Sequence, residues 1–296
     1  MKILVTGATG FIGSAIVQEL LCAGHHVIGL ARSDASAQSL KAKGVEVHRG
    51  DLENFESLRA GATLADAVIH TAFVHDFSDY QKICEIDRRA IEALGSALVG
   101  THKPIIVTSG TALLPTGQLS TEASVPVVGK SLPRIASEEA AQSLAARGVR
   151  VAVLRLPPSV HGDGDHGFVP MIINVAREKG VSAYIGNGLN RWPAVHVLDA
   201  AHLYRLMIEK EVIGTFHGVG DEGVTIKELA EVIGRRLKIP VVSKTTEEAT
   251  EHFSWMSHFL SLDSPASSAQ TQQKLNWKPT HAGLIADVDR ENYFRK

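Results

Sequence analysis

Lys2-Ile3-Leu4-Val5-Thr6-Gly7-Ala8-Thr9-Gly10-Phe11-Ile12-Gly13 is the stretch on which the fold turns. Lys2–Thr6 has the apolar run of a buried strand, and Phe11–Ala23 sets Ile12, Ala15, Ile16 and Leu20 at helical spacing. Three glycines at every third position join them. Gly7 permits the tight turn out of the strand, Gly10 lets the backbone approach a pyrophosphate, and Gly13 lets the helix pack against the strand. Backbone N–H groups at the helix N-terminus, aided by the helix dipole, then face an anion. Spaced glycines alone are weak evidence. Their place between a strand and a helix, at the start of a strand–helix–strand unit, makes them a dinucleotide-binding signal.

The pattern repeats outward from this loop. Apolar runs at His26–Ala31, Val45–His48, Ala67–His70, Pro104–Ser109 and Val149–Leu156 alternate with helical stretches. Those stretches lie at about 34–43, near 54–59, over Tyr80–Val99 and over Arg134–Ala146. Strands this uniformly apolar are buried on both faces. Right-handed crossovers then give an α/β, Rossmann-like doubly wound parallel sheet. After Pro157-Pro158 the rhythm changes. Gly162, Gly164 and Gly167 mark loops, helices follow over Phe168–Lys179 and Asp199–Lys210, and Thr225 with Glu228 forms a capping box. The reading is a dinucleotide-binding domain over 1–158 and a smaller substrate-binding region over 159–296, with about 196–219 returning to the sheet.

Composition narrows the partners. The 296 residues are 44% hydrophobic and 21% charged, which are globular values. Lys plus Arg is 30 and Asp plus Glu is 32, a formal net charge of −2, so neither nucleic acid nor an anionic membrane is expected as a partner. No apolar run reaches the ~18 residues of a membrane helix, and Thr6-Gly7 interrupts the N-terminal run before a signal-peptide core forms. Cys22 and Cys84 make no close-spaced pair, which excludes a disulfide framework and fits a reducing, cytoplasmic location.

The end of the second strand bears on the cofactor. An acid there would bond the ribose 2′-hydroxyl of NAD; this chain has Arg32-Ser33. A guanidinium and a hydroxyl suit a 2′-phosphate, so NADP is expected in preference to NAD. Asp34 reads as the cap of the following helix.

The loop Thr6-Gly7-Ala8-Thr9-Gly10-Phe11-Ile12-Gly13 resembles that of extended and atypical short-chain dehydrogenase/reductases, including the NAD-dependent epimerase/dehydratase group. Gly50-Asp51-Leu52, Ile69-His70-Thr71-Ala72, Leu154-Arg155-Leu156-Pro157, Ser159-Val160-His161-Gly162, Val195-His196-Val197-Leu198-Asp199 and Leu275-Asn276-Trp277-Lys278-Pro279 resemble further family segments in order. The resemblance spans nearly the whole chain and implies a nicotinamide cofactor with hydride chemistry at a C–OH or C=O carbon. It implies cofactor contacts from Gly7, Thr9, Gly10, Phe11, Ile12 and Gly13, and from Arg32 and Ser33 at the ribose. Asp51 and Leu52 would meet the adenine, Thr71, Ala72, Phe73 and His75 would pass under the cofactor, and Thr108, Pro157 and Val160 would lie toward the nicotinamide. It also implies a homodimer through the helices at 80–99 and 134–146, with Ala136, Ala140, Ala141 and Ala145 allowing close approach.

One departure matters. The family's Y-x-x-x-K pair is missing: four residues beyond Tyr80, Tyr184 and Tyr204 stand Cys84, Gly188 and Ile208, and Tyr293 lies near the chain end. Lys130 and Arg134 fall at about the pair's positions, and Gly110, between Ser109 and Thr111, falls at that of the catalytic hydroxyl. Substitute acids are therefore needed. Lys130 would serve if Arg134 lowers its pKa; its bland alternative is a surface lysine. His161 has the most suitable unperturbed pKa, with a structural hydrogen bond as its alternative. Thr111 would orient the substrate oxygen. Arg191 would pair a substrate anion, Trp192 would offer an apolar wall, and His75 would reach substrate or a cofactor phosphate. The run His161–His166 does not match zinc spacing, so no metal is expected.

Three functions compete. The first is an NADP-dependent oxidoreductase acting on a small carbonyl or alcohol with non-standard acid/base residues. The second is a nucleotide-sugar epimerase/dehydratase. The third is a non-enzymatic NADP-binding sensor or interaction protein, which the missing tyrosine favours. The elaborate C-terminal region, with its own His, Arg and Trp, favours the first.

Overall fold

A computed structural model describes residues 1–74, 79–127 and 132–295. In chain order the elements of the first half are β1 (Lys2–Thr6), α1 (Phe11–Cys22), β2 (His26–Ala31), α2 (Asp34–Ala42), β3 (Glu46–Arg49), α3 (Phe55–Leu64), β4 (Ala67–His70), α4 (Tyr80–Ser96), β5 (Pro104–Gly110), α5 (Ala136–Ala146) and β6 (Arg150–Leu156). The second half adds β7 (Ser159–His161), α6 (Phe168–Lys179), β8 (Ser182–Ile185), β9 (Arg191–His196), α7 (Val197–Glu209), β10 (Gly214–His217), β11 (Asp221–Thr225) and α8 (Ile226–Leu237). It ends with β12 (Val241–Lys244), α9 (Thr246–Phe253), α10 (Met256–Leu260), α11 (Ala269–Leu275) and α12 (Leu284–Val288).

The apolar strands pair in parallel in the order β10-β6-β5-β4-β1-β2-β3. The order reverses direction beside β1, so the glycine loop opens at a topological switch point, where such sheets bind ligands. One face is covered by α1 and α7, whose Ile16, Leu20, Leu203 and Met207 pack with Trp277. Trp277 is fully buried and its Nε1 donates to the Asp199 carbonyl at 3.1 Å, so the chain's closing segment is pinned to α7. The other face is covered by α3, α4 and α5 through Leu58, Ile91, Leu94 and Leu144. A third apolar cluster, with Ile172, Ile233, Phe253 and Leu284, belongs to the C-terminal region. There β11-β9-β7 form one small sheet and β12-β8 another.

Several local readings needed adjustment. Ser33, not Asp34, caps α2: its Oγ accepts from the Ser36 N–H, while Asp34 pairs with Arg49 at 2.9 Å. α3 runs on to Leu64, beyond the expected end at 59, because Gly61 acts in packing rather than as a breaker. A Cβ there would come within 3.1 Å of His48. Ala136, Ala140 and Ala141 are buried within the chain, which corrects their expected role in bringing two copies together. The outer surface of α4 and α5 instead carries Arg88, ion-paired to both Glu85 and Glu139.

Candidate cofactor and active site

β1 delivers the chain to Gly7 at φ +70°, a left-handed conformation that favours glycine. A Cβ on Gly7 would also lie 2.8 Å from the Ala72 backbone nitrogen, and one on Gly13 would lie 2.0 Å from the Gly7 carbonyl oxygen. Gly10 differs, because a Cβ there would meet only the Gly7 oxygen at 3.3 Å on an otherwise open side. Gly10 is the N-cap of α1, offers no side-chain cap, and the first turn holds no acid. The N–H groups of Phe11, Ile12 and Gly13 are thereby left for an anion, and the exposed Thr9 flanks them. This bare helix end fits a pyrophosphate.

At the end of β2, Arg32 is exposed and makes no hydrogen bond or ion pair among the described residues. Arg49, from the end of β3, reaches across to the Ser33 carbonyl at 2.6 Å. Two guanidinium groups therefore stand beyond β2 and at the end of β3, that of Arg49 paired with Asp34. Asp51 uses Oδ1 to accept from the N–H groups of Glu53 and Asn54, at 2.8 and 2.9 Å, and lines an open groove of about 580 Å³ with Asn54 and Phe55. Leu52 packs on the apolar cluster beneath.

The centre of the site is a buried polar network at the carboxyl ends of β1, β4 and β5. Thr6 and His70 face each other across the β1–β4 register. The Ala72 N–H donates to Thr6 Oγ1 at 3.2 Å, and that hydroxyl meets His70 Nδ1 at 2.8 Å. On its other side His70 Nε2 lies 3.0 Å from Asp87 Oδ1. Asp87 Oδ2 accepts from Arg134 Nη1 at 2.5 Å and from Ser137 Oγ at 2.6 Å. Burial opposes the Asp87 charge, yet Arg134 and His70 hold its carboxyl well below the usual carboxylate range. Arg134 Nη2 also donates to the Thr108 carbonyl at 3.1 Å, and its guanidinium lies 4.2 Å above the Phe73 ring. Thr108 Oγ1 donates to the His70 carbonyl at 2.7 Å and meets Tyr204 Oη at 2.6 Å. Thr71 Oγ1 donates to the Thr6 carbonyl at 2.8 Å.

Thus Thr71, Ala72, Phe73, Thr108 and Arg134 gather at one edge of the sheet. Asp87 was missed by sequence reasoning. Its signal was a carboxylate on the inner face of α4, four residues after Ile83 and four before Ile91, where only a paired charge is tolerated. Ser109 Oγ is buried and donates to Glu138 at 2.7 Å, so it serves a buried ion pair. Thr111 is buried, and its Oγ1 has no partner among the described residues. Lys130 and His75 lie outside the described residues.

Three further candidates have partners within the chain. His161 is 0% exposed and its Nδ1 bonds Asp287 Oδ2 at 2.8 Å. Strand alternation sends Val160 to the cluster containing Ile12 and sends His161 the other way, where its buried Nε2 has no hydrogen-bond partner among the described residues. Trp192 is 1% exposed, with Nε1 donating to the Phe259 carbonyl at 3.1 Å, and forms no substrate wall. Arg191 is occupied by Asp263 through Nε and Nη2, each at 2.9 Å, and straps β9 to the segment after α10. Pro157 is buried where β6 ends, and the following loop brings His166 edge-on to Phe11, ring centroids 5.8 Å apart.

A parallel sheet with a glycine-lined, uncapped helix at its switch point defines a nicotinamide-dinucleotide-binding protein of Rossmann type. The chain belongs to the NAD dependent epimerase/dehydratase family, whose model matches residues 3–217. An uncharacterized protein of Schizosaccharomyces pombe is 55% identical, with 99% of this chain and 100% of that protein covered. The 2-alkyl-3-oxoalkanoate reductase of Stenotrophomonas maltophilia is 28% identical over 71% of this chain and 66% of its own length. Among solved structures, dTDP-glucose 4,6-dehydratase from Streptomyces venezuelae with NAD bound superposes with a TM-score of 0.80 at 19% identity, covering 99% of this chain and 97% of that one. Among the described residues no helix is long and apolar enough to cross a membrane.

Proposed function

We propose that the protein is an NADP-dependent oxidoreductase acting on a small carbonyl or alcohol. The observation that supports the cofactor choice is the exposed Arg32 just after β2, where Ala31 and not a carboxylate ends the strand; the nearby Asp34 is taken up by Arg49. Gly7, Gly10 and Gly13 with the Phe11–Gly13 N–H groups hold the pyrophosphate, Arg32 and Ser33 the 2′-phosphate, Asp51 and Leu52 the adenine side. Phe73, Thr108, Arg134 and Pro157 lie toward the nicotinamide. When bound, the nicotinamide supplies or accepts a hydride at the substrate carbon. The likeness to the 2-alkyl-3-oxoalkanoate reductase supports a carbonyl substrate. A nucleotide-sugar reaction is the second reading, supported by the fold shared with the dTDP-glucose dehydratase. The purified chain with NADPH, screened against carbonyl panels by loss of reduced-cofactor absorbance, tests the first. Turnover only with nucleotide-sugars selects the second, and failure to bind either nicotinamide nucleotide in calorimetry overturns both.

A further inference from the structure

The oxidoreductase reading leaves a proton donor unassigned, because the residue pair usual for such sites is missing and His161 is sealed in the C-terminal region. The four tyrosines can be sorted by position. Tyr204 is fully buried with Oη on Thr108, and Tyr184 is on β8 under Lys227. Tyr293 bonds Gly162 and Asp287 near the chain end. Of the partly exposed tyrosines, Tyr80 is the one beside the polar network at the carboxyl edge of the sheet.

Tyr80 is the first residue of α4, and it shares a helix face with Cys84 and Asp87 at spacings of four and seven. Its ring meets Phe73 edge-on, centroids 6.4 Å apart at 72°. The Arg134 guanidinium covers the same Phe73 at 4.2 Å. Phenol and cation are thus brought together around one aromatic ring, Tyr80 from α4 and Arg134 from the turn before α5, beside Thr108. We propose that Tyr80 is the proton donor of this site, with Arg134 as its cationic partner. In reduction the Tyr80 O–H bond breaks, and its proton ends on the substrate oxygen. The carbonyl π pair moves to that oxygen as the hydride forms the new C–H bond, and water returns a proton to the phenolate. Burial, with Cys84 adding to it, pushes the Tyr80 phenol up to about 12 while Arg134 pulls the other way, so at neutral pH the group carries the proton to be given.

Two measurements test this. Tyr80→Phe should bind NADPH with unchanged affinity in calorimetry, keep KM for the carbonyl, and lose ~10²–10⁴-fold in kcat. Independently of turnover, a fluorinated tyrosine at position 80, which ionises nearer neutrality, can be titrated by its ultraviolet spectrum. NADP⁺ should lower the midpoint by about 1 pH unit through its nicotinamide charge, and Arg134→Met should raise it by a similar amount. Cofactor binding with an unmoved midpoint, or a Tyr80→Phe enzyme of normal kcat, overturns the Tyr80 assignment and leaves the oxidoreductase reading standing. A protein that binds neither NADP⁺ nor NAD⁺ overturns that reading and this one together.

Discussion

Replacing Glu138 by glutamine perturbs the buried charge pair behind the active-site strands, and the structure sets the size of the effect. Glu138 and Arg155 are each 3% exposed. Arg155 Nε and Nη2 donate to the two Glu138 oxygens at 2.8 Å each, Ser109 Oγ donates to Oε1 at 2.7 Å, and Arg155 Nη1 donates to the Ser124 carbonyl at 2.9 Å. Glutamine keeps the shape, removes the negative charge and turns an amide N–H toward an arginine N–H. Leaving one charge of a buried pair uncompensated costs about 3–5 kcal/mol. At ~2–4 °C per kcal/mol for a large domain, Tm should fall by roughly 6–20 °C. Urea unfolding at neutral pH reads the free energy directly. The double variant Glu138→Leu with Arg155→Met should recover most of the loss, because apolar residues of similar volume replace buried pairs at little net cost. A single-variant loss below about 1 kcal/mol would refute the reasoning, since it would mean the Arg155 charge finds water without Glu138. A double variant as unstable as the single one would refute it too.

The other predictions concern the site. Arg32→Asp should shift preference from NADP toward NAD, read as the ratio of the two dissociation constants by calorimetry; an unchanged ratio would remove Arg32 from the 2′-phosphate site. Gly10→Val should fold, because its side is open, yet lose cofactor binding, because the valine occupies the approach to the α1 N–H groups; normal binding would place the phosphates elsewhere. Asp87 is held below its unfolded value, so its stabilising effect is complete above about pH 4 and is lost as pH falls further toward the folded value. Asp87→Asn should therefore lower stability at neutral pH and flatten the acid limb of a urea-stability profile; an unaltered limb would contradict the ion pair. His161→Ala should destabilise the chain by roughly 1–3 kcal/mol through the lost bond to Asp287, whose carboxylate keeps Arg290 and Tyr293 as partners. It should spare turnover below the unfolding temperature, and a selective loss of kcat would restore His161 as an acid.

Much of the Rossmann half was legible because its signals are local. Continuous apolar runs such as Ile3–Val5 and Ile105–Val107 read as buried parallel strands whatever their neighbours, and the three glycines each answer a steric demand within a few residues. The capping box of Thr225 and Glu228 was equally local. The C-terminal strands were not legible. β7, β8, β9 and β12 run only three to six residues each, and β7 finds β9, or β8 finds β12, across tens of residues of intervening chain. Strand identity there is conferred by the partner, not by the run itself.

Side-chain direction divides the same way. Composition and spacing identified Arg191, Trp192 and His161 as groups able to do chemistry, and nothing local said which way they point. The tertiary structure aims Trp192 into the third apolar cluster, gives Arg191 to Asp263 and gives His161 to Asp287, partners 67 to 126 residues away. It also assembles what no spacing rule contains, Tyr80 and Arg134 both against Phe73. The sequence by itself determined the strand–helix alternation, the phosphate loop and the basic end of β2, because each depends on residues adjacent in the chain. Only the folded chain decided which polar groups face the site, because that depends on long-range packing.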